Sequence, residues 1–179
     1  MDEDREALLG AAENLFYERG VQSVGMDRIR DASGLSLKRI YAICPTKSDL
    51  VVAVLRRRDE RWRGRLVASV EVRRPGIDRV LAVFDWLYEW SQESDFRGCA
   101  WVNVHGELGG TSPEVVDEVR KHKAAFRQHL AEWVDGVAGL EADDVHLLAE
   151  GAIVTAGVMS DPALVLKAKD ACRRLATLS

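Results

Sequence analysis

The sequence predicts an all-α chain of about nine helices. A three-helix N-terminal unit built on a helix-turn-helix is followed by a larger C-terminal helical domain. Three observations carry this reading. Residues 26–50, MDRIRDASGLSLKRIYAICPTKSDL, read as two short helices joined at Ser33-Gly34 and followed by the entry to a third. The stretches around that segment repeat apolar residues at helical spacing. Gly and Pro then cut the pattern into segments at Pro45, Arg74-Pro75-Gly76, Gly109-Gly110, Gly139 and Asp161-Pro162. The expected division is residues 1–46, extending to about 65, for the N-terminal unit and 66–179 for the rest.

Glu3 to Arg19 forms the first helix, with Leu8, Ala12, Leu15 and Phe16 as its buried stripe and Gly20 as its end. Met26, Ile29 and Ala32 share one face of the next, short helix. Gly34 then stands where a helix C-cap needs positive φ without steric cost. Ser36 is a good N-cap for the following helix. Leu37, Ile40 and Tyr41 give that helix its inward side, while Lys38, Arg39 and Ala42 point outward. Neither short helix is stable alone, so the unit makes sense either as a means of presenting Lys38 and Arg39 to a DNA groove or as one corner of an all-helical core that carries a few surface charges. Thr46 and Asp49 make a capping-box-like start for a long helix that runs to about Val70. Leu50, Val54, Leu55, Trp62 and Leu66 lie along one side of it. Lys47 sits at its N-terminus, where backbone amides and an ammonium suit one phosphate. Arg56, Arg57, Arg58, Arg61, Arg63 and Arg65 read as a solvated face, ion-paired with Asp59 and Glu60.

The net charge of -4 looks wrong for a DNA-binding chain until it is divided. Residues 19–65 carry twelve Lys/Arg against five Asp/Glu, a net of +7, whereas residues 66–179 carry twelve against eighteen, a net of -6. The basic character is confined to the candidate reading head, as phosphate attraction requires.

The run AAENLFYERGVQSVGMDRIRDASGLSLKRIYAICPTKSDL resembles the DNA-binding segment of the TetR family of bacterial transcriptional regulators. Ala11, Ala12, Leu15, Phe16, Gly20, Ile29, Ala32, Gly34, Leu35, Ser36, Ile40, Tyr41, Lys47 and Leu50 all fall in register with that family's pattern. The match covers roughly the first third of the chain. Cys44 departs from it, standing where the family usually has an aromatic residue. Lys38-Arg39 stands where small residues are frequent, which implies an operator preference of its own. The DNA-binding set expected on this basis is Met26, Ser36, Leu37, Lys38, Arg39, Tyr41 and Lys47. Lys38 and Arg39 are assigned to base edges, Arg39 being suited to bidentate contact with guanine. Ser36, Tyr41 and Lys47 are assigned to phosphates.

Beyond the Arg74-Pro75-Gly76 joint, Ile77, Val80, Leu81, Phe84, Leu87 and Tyr88 mark an amphipathic helix ending near Glu93. The segment from Phe96 to Glu107 resembles a Gly-Cys-x-x-x-Asn-x-x-x-Glu signature of many TetR-type C-terminal domains. Pro113 in a first turn opens a long helix with Val115, Val119, Phe126, Leu130, Trp133 and Val137 as its spine and Gly139 as its end. The helix expected over Asp143 to Ser160 carries Gly151, Ala152, Ala156 and Gly157. Leu164, Ala168, Ala171, Leu175 and Leu178 then give a two-heptad seam. Such terminal helices suggest a four-helix interface between two copies, which is also what the last two helices of the resembled family form, the alternative being burial within one chain. Leu148, Ala152, Ala156, Leu164, Ala168 and Leu175 are its expected residues. A twofold dimer sets two recognition helices about 34–36 Å apart, at successive major grooves.

Cys99, Asn103 and Glu107 lie four apart and share one helix face, with Trp101, His105 and Leu108 as a neighbouring stripe. Trp101, Asn103, His105 and Glu107 are the candidate ligand-binding residues. Asn103 and Glu107 either orient a ligand or satisfy buried helix ends, and the five Trp serve equally as cavity lining or as core. His105 and Glu107 diverge on a helix, so no metal pair is expected, and no cofactor beyond an unknown small-molecule effector. Cys44, Cys99 and Cys172 read as reduced, buried thiols. There is no nucleophile elbow, phosphate loop or HExxH, and enzymatic activity is not expected. Nor is a membrane span or an apolar leader, so a cytoplasmic chain is expected. The resemblance implies a homodimeric repressor of transcription that binds a double-stranded DNA operator and is released by a small molecule. The rival reading is a helical interaction module with lost or non-specific DNA binding.

Overall fold

The computed structural model describes residues 3–177, and these form nine helices and no strand. They are α1 (Glu3–Arg19), α2 (Met26–Ser33), α3 (Leu37–Ile43), α4 (Lys47–Glu71), α5 (Ile77–Ser91), α6 (Ala100–Leu108), α7 (Pro113–Val134), α8 (Ala142–Met159) and α9 (Ala163–Thr177). The chain is all-α, as expected. No helix among the described residues is long and apolar enough to cross a membrane. Packing divides the chain into two compact units. One comprises the described residues up to Glu60 with Ala100–Lys121; the other comprises Arg61–Cys99 and the described residues from His122 onward. This division does not follow the chain-order division at about residue 65, since α6 and the start of α7 pack with the N-terminal helices.

In the first unit α1 packs across α2, and α2 on α3. Leu8, Ala12, Val24, Ile29, Ile40 and Leu50 are fully buried between them. Thr46 and Asp49 form the expected reciprocal cap. The Thr46 N–H donates to Asp49 Oδ2 and the Asp49 N–H to Thr46 Oγ1, each at 3.0 Å. The inward assignment of Tyr41 is corrected, and the shared face of α2 is buried only at Ile29. Ala32 is exposed, and so is Tyr41, at 45%. An eight-residue and a seven-residue helix bury one narrow stripe each, here Ile29 and Ile40, and leave the flanking positions outside. The arginine row of α4 is also not a merely local array. Arg57 donates to Glu6 (3.0 Å) and Glu13 (2.7 Å), Arg58 to Glu13 (3.0 Å), and Arg56 to Glu118 (3.0 Å). Glu13 is only 6% exposed, and two guanidiniums offset the cost of burying its charge.

In the second unit α5, α8 and α9 pack on one another. Trp62 meets Trp86 (5.1 Å) and Phe126 (5.2 Å) edge-on, and Trp86 stacks on Trp90 (5.7 Å). All five Trp are buried, so they serve as core. α7 stops at Val134, short of the expected Gly139. Gly136 takes a left-handed φ of 74°, and Val137 falls in the loop. The small residues of α8 are used within the chain: Ala152 and Ala156 are buried, and a Cβ on Gly157 would sit 3.0 Å from Gly98 Cα. Leu148, Leu164 and Ala168 are half-buried, and Leu178 lies outside the described residues. The apolar residues α8 leaves exposed are Leu147, Val154, Val158 and Met159, with Leu175 beside them in kind on α9. All three cysteines are buried free thiols. Burial, reinforced by Asp144, pushes the Cys172 thiol up to about 11.

Candidate nucleic-acid interface and adjoining cavity

α3 is short, so its placement depends on its ends and on one anchor. Gly34 closes α2 at φ 71°, its N–H donating to the Arg30 carbonyl. Ser36 opens α3, its hydroxyl accepting the Arg39 N–H at 3.2 Å. Ile40 is wholly buried, and Leu37 is half-buried beside it. Lys38, Arg39 and Tyr41 are consequently held outward on a fixed frame, with Met26 half-buried at the start of α2. Arg39 Nε donates to Asp4 Oδ2 of α1 at 2.6 Å, a partner 35 residues away that no local pattern announces. Cys44, in the position where the resembled family has an aromatic, is 2% exposed and packs as core. Burial, with Asp49 adding and Arg5 opposing, pushes its thiol up.

Lys47 opens α4 with its ammonium on the Val21 carbonyl at 2.7 Å. Burial lowers its pKa, with Glu107 opposing. The same residue 21 is held from its other side. Glu107, at the end of α6, accepts the N–H of Val21 at 3.0 Å and of Gln22 at 2.7 Å, while its own carbonyl accepts Gln22 Nε2 at 2.6 Å. Gly20 makes this approach possible. Its φ is +82°, and a Cβ there would stand 3.1 Å from Glu107 Oε1. Lys47 and Glu107 thus fix the turn that leads into α2.

A cavity of about 50 Å³ opens in this unit, lined by Phe16, Tyr17, Val51 and Val104 with Asn103 and Glu107. That is room for a few water-sized groups, against roughly 300–1,000 Å³ for ordinary ligand pockets. Of the four candidate ligand residues the structure brings Asn103 and Glu107 to this cavity. Trp101 is buried at 1% and His105 is exposed, and neither lines it. The Cys99–Asn103–Glu107 stripe is also corrected. Cys99 precedes α6 and is buried in the other unit, because α6 begins only at Ala100. Among the described residues no group of three His, Cys, Asp or Glu side chains is placed to hold a metal ion.

The family described as bacterial regulatory proteins, tetR family, matches residues 8–54, which include all of α2 and α3. The HTH-type transcriptional activator FasR of Mycolicibacterium smegmatis is 26% identical over 152 residues, spanning 85% of this chain and 68% of its own length. Among solved structures, a TetR-family transcriptional regulator from Streptomyces coelicolor has a TM-score of 0.89 and 26% identity, covering 98% of this chain and 89% of that one. A TetR transcriptional regulator from Chloroflexus aurantiacus shares the fold at a TM-score of 0.80 and 23% identity, over 98% and 93% of the two chains.

Proposed function

The chain belongs to the TetR family of bacterial regulatory proteins, and on that footing we propose that it represses transcription from a palindromic operator as a homodimer released by a small molecule. That it is a DNA-binding transcriptional regulator and not an enzyme follows from the family. The operator, the dimer, the direction of control and the release are our reading. The observation that supports it best is the display of Lys38, Arg39 and Tyr41 on a capped seven-residue helix whose anchor, Ile40, is wholly buried. Such a helix has little core to contribute and a cationic face to offer. We assign residues 1–46, extending to about 65, to DNA reading and residues 66–179 to sensing and dimerisation, in a cytoplasmic protein. α4 runs unbroken from Lys47 to Glu71, through the expected boundary. A ligand that tilts it changes the spacing of two reading heads, provided it binds one of the two arrangements better.

Arg39 reads a base edge in this account, and Ser36, Tyr41 and Lys47 hold phosphates. The Lys47 bond to Val21 uses one of three ammonium donors. Arg39→Ala is expected to relax sequence preference, costing about 1–3 kcal/mol at its base pair. Lys47→Ala is expected to weaken binding to all duplexes alike and to reduce the salt slope by about one. Titrations on a selected and a shuffled duplex at several salt concentrations measure both. Equal losses on the two duplexes for both variants would contradict this division of labour. A second direction of control, activation, is favoured by the name of the M. smegmatis relative. A promoter–reporter pair with and without the gene decides between them, since a repressor raises expression when deleted.

A further inference from the structure

One carboxylate from the first turn of α1, Asp4, reaches the recognition helix, an odd neighbour for a surface that must approach phosphates. That turn carries Glu3, Asp4 and Glu6, and of these Asp4 Oδ2 accepts Arg39 Nε at 2.6 Å. Asp4 does not sit on a loose end. Two residues on, Glu6 is bonded to Arg57 of α4, and Leu8 and Leu9 are buried. The carboxylate is therefore carried by a packed helix, and Arg39 is carried by a helix fixed through Ile40 and the Ser36 cap.

A guanidinium is planar, so bonding one edge of it to a fixed acceptor sets the plane in which its remaining N–H groups point. Negative charge at that edge also disfavours a phosphate as the next partner of the same group, since like charges brought together in a protein–DNA interface are costly. A base edge carries acceptors without the full charge. We propose that Asp4 is a specificity-determining residue of the reading head: it positions Arg39 for a base edge and discourages it from collecting a phosphate. This rests on the DNA-reading function proposed above. Asp4 acts through Arg39, as a positioning residue, and gives up some general affinity for a higher ratio of specific to random binding.

The test uses the full chain and two duplexes, one selected by the wild-type protein from a randomised library and one with the same bases shuffled. Asp4→Asn keeps the shape and removes the charge. It is expected to raise affinity for the shuffled duplex about threefold, with a steeper salt slope, and to lower the selected-to-shuffled ratio about tenfold. In an Arg39→Ala background the same change is expected to leave the ratio as it was, because the group it positions is gone. Thermal unfolding of each variant shows that the comparison is between folded proteins. An unchanged ratio in Asp4→Asn, or an equal fall with and without Arg39, overturns the inference and leaves the function reading intact. A wild-type protein that selects no duplex overturns both.

Discussion

Leu147→Lys combined with Val158→Lys is expected to leave a folded chain that sediments at its own 19.9 kDa, the wild type being expected to sediment at twice that mass as the proposed homodimer. Both residues are largely solvent-exposed in the single chain, at 72% and 77%, so the charges meet water and not a core. They lie on one face of α8 with Gly151 and Val154, at spacings of four, three and four residues. A row of apolar residues turned to water on an otherwise well-packed helix is the surface we assign to the second copy. Ammonium groups on both copies would face one another there, and like charges in a dehydrating interface are costly. Operator affinity is expected to fall by about 10²–10⁴, because each half-site is then bound without its tethered neighbour. Half-site binding should persist, since α2 and α3 are untouched. A double variant that still sediments as a dimer would move the interface off α8.

Glu107→Ala is expected to cost about 2 kcal/mol and to weaken DNA binding, although residue 107 is far along the chain from α3. The carboxylate accepts two backbone N–H bonds, from Val21 and Gln22. Hydrogen bonds to a charged group contribute about 1.5–3 kcal/mol each where they are buried, and the Gln22 bond is exposed. Without it the part-buried Val21 N–H loses its acceptor, and the turn into α2 keeps the Lys47 bond to the Val21 carbonyl, the Gln22 side-chain bond to the residue-107 carbonyl and the Ser23 hydroxyl bond to the Arg19 carbonyl. Gly20→Ala is expected to act on the same contact from the other side, by strain at φ +82° and by crowding Glu107. Thermal unfolding and duplex titration measure both. A Glu107→Ala protein with unchanged stability and unchanged affinity would reduce the contact to a surface decoration.

The reading head was legible because its signals are local. Gly34, Ser36 and the Thr46–Asp49 pair each act within a few residues, and each performs the capping role its type and spacing suggest. Tyr41 misled because helical periodicity places it beside Ile40, while a seven-residue helix buries only one such position. Ala152 and Ala156 misled for another reason. Small residues admit a close neighbour without saying which, and here they pack into their own chain. The contacts that tune the site were illegible for a third reason. Asp4 reaches Arg39 across 35 positions, and Glu107 reaches backbone N–H groups, which every residue but proline possesses. No side-chain pattern marks such a partner. The ion pairs of Arg57 and Arg58 with Glu6 and Glu13 escaped the same way, being made by two helices that meet only in the fold.

On the reading proposed above, this chain reads a palindrome with two copies of α3. The direct measurement is footprinting of the purified protein on the duplex from the intergenic region upstream of its own gene, against random duplex, at two salt concentrations. The expected result is protection with twofold symmetry, two half-sites whose centres lie about 34–36 Å apart, and a specific complex that outlasts the random one as salt rises. Weak binding to both duplexes, unprotected at any discrete site and lost together with salt, would contradict it and leave only a basic patch.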